Sequence, residues 1–294
     1  MGMDGFNSAA TRFAPSPSGF LHLGHAYGAL FSARQATAMG GTFLLRIEDI
    51  DLARCTQAYE QAIYEDLRWL GLTWPDPVLR QSDRFPVYHD FLHTLEEGGL
   101  TYPCFCTRRE IRTEVANAPR APHGPDGALY PGTCKHLDPM IAKDRIAAGQ
   151  VHAIRLHMDR AAHMTGPLTF TDLDRGIITV VPESCGDIVL ARKDVPTSYH
   201  LSVTVDDAFQ QISCVTRGED LLHATHIHRV LQTLLGFPTP VYRHHRLLLD
   251  SQGRRYAKRD KAITLQALRK AGKTPQDICQ MVGEDTNRAA ETSR

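Results

Sequence analysis

The stretch from Thr11 to Ala26 constrains this chain more than any other. Thr11–Ala14 reads as a short strand that runs into Pro15-Ser-Pro-Ser-Gly19. A helix is expected from about Gly24, with Ala26, Ala29, Leu30 and Ala33 at i, i+3, i+4, i+7 spacing. A strand that turns tightly and opens a helix presents backbone N–H groups and the positive end of a helix dipole, which together attract phosphate. His22 and His25 stand three apart at that helix start. Their ring N–H groups can donate to phosphoryl oxygens, and Gly24 lets a purine or ribose approach the backbone. Taken alone, His-x-x-His fits a polar helix cap equally well, and as a metal pair it lacks a nearby third ligand.

The same alternation continues. Gly40-Gly41 stops the first helix, and Thr42–Ile47 is an apolar strand. Tyr59, Ile63, Leu67 and Leu70 mark a helix ending at Gly71; Val87, Phe91, Leu92 and Leu95 mark another ending at Gly98-Gly99. Strand and helix in alternation predict an α/β fold on a parallel sheet. Tyr102 to Val181 breaks the pattern and reads as an insertion, with a Pro/Gly/His loop at Ala118–Gly132. Ile188–Leu190, Leu201–Val205 and Ile212–Thr216 are then expected as strands, and Leu221–Leu235 as a helix closed by Gly236 and Pro238. The expected organisation is a first catalytic half at 8–101, an insertion at 102–181, a second half at 182–270, and a C-terminal tail at 271–294.

Composition narrows the function classes. With 294 residues, 33 basic and 33 acidic side chains, the chain is long enough for a sizeable core and is not a histone-like nucleic-acid binder. There is no run of 18 apolar residues and no basic, apolar start, so neither a membrane span nor a secretory signal is expected, and a cytoplasmic setting is. Three of the seven cysteines cluster, Cys104, Cys106 and Cys134; the others, Cys55, Cys185, Cys214 and Cys279, are scattered. In a cytosolic chain this favours a metal site at the cluster and buried thiols elsewhere. Cys104-Phe-Cys106 is followed by 23 residues and Tyr130-Pro-Gly-Thr-Cys134, which would give zinc three thiolates. The residues leave the fourth ligand open between Tyr130, His136, His123 and water. Finally, Arg243–Lys261 is basic, with seven Lys or Arg against two Asp.

The string Arg12-Phe-Ala-Pro-Ser-Pro-Ser-Gly-Phe-Leu-His-Leu-Gly-His-Ala26 resembles the signature of class I aminoacyl-tRNA synthetases in their glutamyl and glutaminyl form. The resemblance runs from about Arg12 to Leu268. It continues in Arg46-Ile-Glu-Asp-Ile-Asp51, in Thr197-Ser-Tyr-His-Leu-Ser-Val-Thr-Val-Asp-Asp207 as a substrate strand, and in Thr216-Arg-Gly-Glu-Asp-Leu221. Gly253-Arg-Arg-Tyr-Ala-Lys-Arg259 is similar to the mobile lysine loop, although Arg255 stands at its first lysine position and Ala257 at its serine; Lys258 is retained.

The resemblance implies a Rossmann-type doubly wound parallel sheet with a zinc-bearing insertion and a short helical C-terminal segment. It implies ATP bound by His22, Gly24, His25 and Lys258, with His22, His25 and Lys258 catalytic. Glutamate would be held by Arg12, Ala14, Ser16, Glu48, Tyr199 and Arg217, which supply guanidinium groups for carboxylates and a carboxylate for the amine. Val203 stands where full-length glutamyl enzymes carry asparagine. The shortened glutamyl-queuosine branch of the family implies Tyr130 as the fourth ligand of one structural Zn²⁺, beside Mg²⁺ carried with ATP. It also implies transfer of L-glutamate to queuosine in the anticodon loop of tRNA(Asp); a monomer is expected, and the 33 residues after Lys261 are too few for an anticodon-binding domain. The alternatives are a ligase charging tRNA(Glu) or another acceptor, and a non-catalytic tRNA-binding paralogue.

Overall fold

A computed structural model describes residues 8–117, 123–124, 127–248 and 263–283. Strand β1 (Ala10–Phe13) leads through the proline loop into helix α1 (Leu23–Ala38), followed by β2 (Thr42–Ile47), α2 (Gln57–Trp69) and β3 (Leu79–Arg80). Next come α3 (Phe85–Glu97), β4 (Thr101–Cys104), α4 (Arg108–Asn117), and the short strands β5 (His123–Gly124) and β6 (Gly127–Ala128). Then follow α5 (Pro139–Ala147), β7 (Ala153–Leu156), α6 (Met158–Thr165), β8 (Thr169–Asp172), β9 (Gly176–Thr179), β10 (Val189–Ala191) and α7 (Tyr199–Phe209). Strand β11 (Cys214–Gly218), helix α8 (Ala224–Leu234), strand β12 (Val241–His245) and helices α9 (Leu265–Lys270) and α10 (Pro275–Met281) complete the order.

These elements fall into two compact units. The first holds the chain up to Asp83, Ile212–Asp220, and the described residues from Tyr242 onward; the second holds Arg84–Gln211 and Leu221–Val241. In the first, β1, β2 and β3 pair parallel, with Arg12 opposite Leu44 and Arg46 opposite Leu79. Segment Ile212–Asp220 lies along β1, where Ser213 N–H donates to Ala10 C=O at 3.1 Å. The Gly40-Gly41 turn is a steric requirement: Gly40 has φ +61°, and a Cβ on Gly41 would lie 2.4 Å from the Ala9 carbonyl oxygen. Leu21, Leu23, Tyr27, Ile47, Ile63 and Leu67 form the core of this unit, and Leu265, Leu268 and Ile278 from α9 and α10 join it. The C-terminal helices therefore anchor to the same core as the proline loop.

The second unit is built on an antiparallel sheet in the order β10-β7-β4; β8 and β9 pair antiparallel to each other as part of a different sheet. One expected strand is a helix. Leu201–Val205 lies inside α7, and the substrate segment Thr197–Asp207 is mostly helical with it. The Ser198 side chain accepts from Leu201 N–H at 3.4 Å and caps the helix start. Every residue from Leu201 to Asp207 is buried, so the run has no polar face from which a helical period could be read.

Candidate active site and metal centre

His22 is the N-cap of α1, and its Nδ1 accepts from Gly24 N–H at 3.1 Å. His25 Nδ1 accepts in turn from His22 N–H at 3.2 Å, closing a capping box made of two imidazoles. The rings lie 3.8 Å apart, tilted by 33°. The cap reading and the phosphate reading are thus compatible. A ring whose Nδ1 accepts carries its proton on Nε2, so each histidine, while neutral, presents an Nε2–H donor from a fixed ring. The proline loop that precedes them is pinned from below: Glu48 N–H donates to Pro15 C=O at 3.0 Å, and Thr56 N–H to Pro17 C=O at 3.1 Å. Ser16 Oγ lies 3.5 Å from Cys55 Sγ.

Two guanidinium groups are buried in the same unit. Arg12 projects from β1 and donates from Nη1 to Thr216 C=O at 3.0 Å. The neighbouring Arg217, 7% exposed, donates from Nε to His244 Nε2 at 3.2 Å and lies 5.5 Å from the Tyr242 ring centre. The carbonyl and the imidazole help to orient the two guanidinium groups. Thr216 is itself fixed by a 2.6 Å hydrogen bond with Ser32 of α1. Glu48 pairs with the fully buried Arg46 at 3.3 Å, and its backbone bond to Pro15 places it beside Ala14 and Ser16. The structure thereby joins Arg12 to Arg217 through Thr216, and Glu48 to the loop carrying Ala14 and Ser16.

Lys258 and the rest of the lysine segment lie outside the described residues. The described chain resumes beside the start of α1: Thr264 bridges His22 in antiparallel pairing, and Leu265 N–H donates to Leu21 C=O at 2.8 Å. Lys258 precedes Thr264 by six positions in the sequence.

Tyr199 and the cysteines belong to the second unit. Tyr199 opens α7, its ring 5.4 and 5.6 Å from those of His200 and His228, while Val203 is fully buried. The Sγ atoms of Cys104, Cys106 and Cys134 all lie within 4.8 Å of one another. Tyr130 OH stands 3.4 Å from Cys104 Sγ and 3.6 Å from Cys106 Sγ, and accepts from Cys134 N–H at 2.8 Å. Burial opposes ionisation of Cys134, but hydrogen bonds from Phe105, Tyr130 and Cys106 outweigh it and hold the thiol below its ordinary value. Burial pushes the Cys106 thiol up to about 11. Three sulfurs and a phenol oxygen converging on one point form a donor set that fits a four-coordinate zinc ion. Arg155 braces Tyr130, its guanidinium 3.7 Å over the ring, and donates to Asp187 C=O at 2.7 Å. All seven cysteines are free thiols; Cys185, Cys214 and Cys279 are buried as expected, whereas Cys55, also expected to be buried, is only half-buried.

The sequence profile of the family described as tRNA synthetases class I (E and Q), catalytic domain, matches residues 8–286. The chain belongs to this family. A Glutamyl-Q tRNA(Asp) synthetase from Rhodobacter capsulatus is 51% identical over 282 residues, covering 93% of this chain and 99% of that protein. A Glutamate–tRNA ligase from Aquifex aeolicus is 38% identical over 270 residues, covering 91% of this chain but 55% of its own length. Among solved structures, a glutamate tRNA ligase from Elizabethkingia meningosepticum in complex with its amino acid superposes with a TM-score of 0.77 at 26% identity, over 94% of this chain and 60% of that one. As a class I (E and Q) catalytic domain, the chain combines α/β elements with mixed sheets, and no described helix is long and apolar enough to cross a membrane. Reasoning from sequence missed two residues of the arginine site, His244 and Tyr242. The alternation of buried and half-buried positions in Val241–His245 that sets them on one face is visible only in the structure.

Proposed function

We propose that this chain activates glutamate with ATP and transfers it to queuosine at the wobble position of tRNA(Asp). The likeness to the Rhodobacter capsulatus protein over nearly that protein's entire length carries this reading. The two buried arginines, Arg12 and Arg217, support it from the side of chemistry, since glutamate brings two carboxylates to the site.

In this reading Arg12 and Arg217 receive carboxylate oxygens, Glu48 receives the ammonium group, and Ala14 and Ser16 line the pocket. The glutamate α-carboxylate oxygen attacks the α-phosphorus of Mg²⁺-bound ATP. A new O–P bond forms, and the bond to the bridging oxygen breaks as pyrophosphate leaves. Charge accumulates on the phosphoryl oxygens in that step. The α1 start, the Nε2–H groups of His22 and His25, and the ammonium of Lys258 stabilise it there. A hydroxyl of the queuosine cyclopentenediol then attacks the adenylate carbonyl, loses its proton, and AMP leaves. Proximity and charge stabilisation suffice, with no covalent enzyme intermediate.

The parallel β1-β2-β3 sheet is read as part of a Rossmann-type doubly wound core, and the cysteine cluster as its zinc-bearing insertion. Cys104, Cys106, Cys134 and Tyr130 would hold one Zn²⁺ that stabilises the local fold. The acceptor is a splayed base of the anticodon loop, which a catalytic pocket can receive directly. The test compares labelled glutamate transfer onto tRNA(Asp) with queuosine, the same tRNA without it, and tRNA(Glu). Labelling only of the first supports the proposal; equal labelling of the first two overturns it.

A further inference from the structure

Strands β11 and β12 are neighbours in the sheet, and the alternation along β12 places Tyr242 and His244 on one face. Their rings are nearly parallel, 6.0 Å apart at 8°, and almost wholly buried, with His244 3% exposed. Arg217 lies against this pair, its Cζ 5.5 Å from the Tyr242 ring centre and its Nε–H directed to His244 Nε2 at 3.2 Å. An arginine has no lone pair to offer, so His244 Nε2 is the acceptor and the histidine is neutral, with its proton on Nδ1.

This contact fixes more than a distance. The guanidinium is planar, so anchoring Nε–H sets the orientation of the whole fork. A guanidinium can grip a carboxylate through its Nε/Nη edge or through its Nη1/Nη2 edge. With Nε–H committed to His244, only the second edge can engage a carboxylate in a bidentate pair.

We propose that His244 is a positioning residue for glutamate: it turns the Nη1/Nη2 edge of Arg217 toward the substrate carboxylate. The proposal rests on the reading of Arg217 as a glutamate-binding residue. In this role His244 acts through Arg217, whose Nε–H it accepts. It should therefore govern glutamate recognition and leave ATP recognition almost untouched.

The experiment measures glutamate-dependent ATP–pyrophosphate exchange in His244→Phe, His244→Gln and Arg217→Ala. Phenylalanine keeps a ring beside Tyr242 but offers no acceptor, whereas the glutamine amide oxygen can stand where Nε2 stands. In His244→Phe the KM for glutamate should rise about tenfold or more while the KM for ATP stays within about twofold, as expected for a lost substrate-orienting interaction. His244→Gln should recover glutamate KM to within about threefold of the parent, because the acceptor is restored. If the phenylalanine variant does not fold, His244→Met makes the same comparison, since its thioether is only a weak acceptor. An unchanged glutamate KM in the acceptor-less variant, with Arg217→Ala impaired, overturns the role of His244 and leaves that of Arg217 standing. So does parallel loss for both substrates that glutamine does not repair. If Arg217→Ala itself binds glutamate normally, the reading of Arg217 fails and the role of His244 falls with it.

Discussion

Thr264 pairs with His22 in an antiparallel bridge, and the next residue, Leu265, donates its N–H to Leu21 C=O at 2.8 Å. The first described residues after the lysine segment are thus stitched to the residue that caps α1. The bridge and this hydrogen bond join the start of α1 to the residues just before α9. Thr264 then caps α9 by accepting from Ala267 N–H at 3.1 Å, and α9 is anchored by Leu265 and Leu268 in the core.

Lys258→Ala should lower the rate of glutamate-dependent pyrophosphate exchange on the order of 100-fold, the cost of removing one charge aimed at developing phosphate charge. Steady-state exchange assays check this. An unaltered rate would remove Lys258 from the phosphate site.

His22 caps α1 and is assigned a role toward phosphate, and two substitutions separate these functions. Asparagine is a good N-cap but lacks the imidazole Nε2–H. His22→Asn should melt close to the parent while its exchange rate falls about 10-fold to 100-fold. His22→Ala should lose the rate and also about 1 kcal/mol of stability. Melting curves beside exchange rates decide the matter, and full activity in His22→Asn would reduce His22 to a cap.

Metal analysis of protein purified without chelator should find one zinc per chain. Cys134→Ser should lose it and melt at a lower temperature, because site binding energy contributes to folding. Tyr130→Phe keeps three thiolates and should bind zinc more weakly. A metal-free parent with normal stability would mean that the cluster is simply three thiols packed against a tyrosine.

Asp66 gives the fold a pH dependence. It is fully buried in α2, and among the described residues neither carboxylate oxygen has a hydrogen-bond partner, although Arg269 lies 3.5 Å away. Burial outweighs that cation and pushes its pKa up from 3.8 to about 6. Between those values the folded chain keeps a proton that the unfolded chain has released, so stability falls as pH rises through this window. Asp66→Asn does not titrate. Its advantage over the parent should be small near pH 4 and reach at most about 3 kcal/mol above pH ~7. Melting temperatures across this range check the sign; a gap that closes at high pH would contradict it.

The parts of the molecule written locally were legible in its sequence. The β1–loop–α1 junction announces itself through Pro15, Pro17 and the apolar spacing after Gly24, because prolines and periodicity act within a few residues. Helix α7 was read as a strand since burial on all sides erases the period of Leu201–Asp207; only the Ser198 cap marks its start. Cys104, Cys106 and Cys134 were recognisable by spacing, but Tyr130 could be chosen over His136 only by resemblance until its hydroxyl was seen among the sulfurs. The Arg217–His244 contact was invisible, because it depends on β11 and β12 meeting across 27 positions of sequence. So was the Arg12–Thr216 bond, whose partners stand 204 apart.

The acceptor is the central claim, and removal of the 3′-terminal adenosine from queuosine-containing tRNA(Asp) tests it most directly. That adenosine carries the hydroxyls used in ordinary charging, whereas the queuosine diol lies in the anticodon loop. Periodate would be ambiguous, since it attacks both diols. The account predicts that labelled glutamate still transfers to the shortened tRNA at a rate close to that of the intact one. Transfer that vanishes with the adenosine would show that glutamate goes to the 3′ end, and would contradict the proposed acceptor.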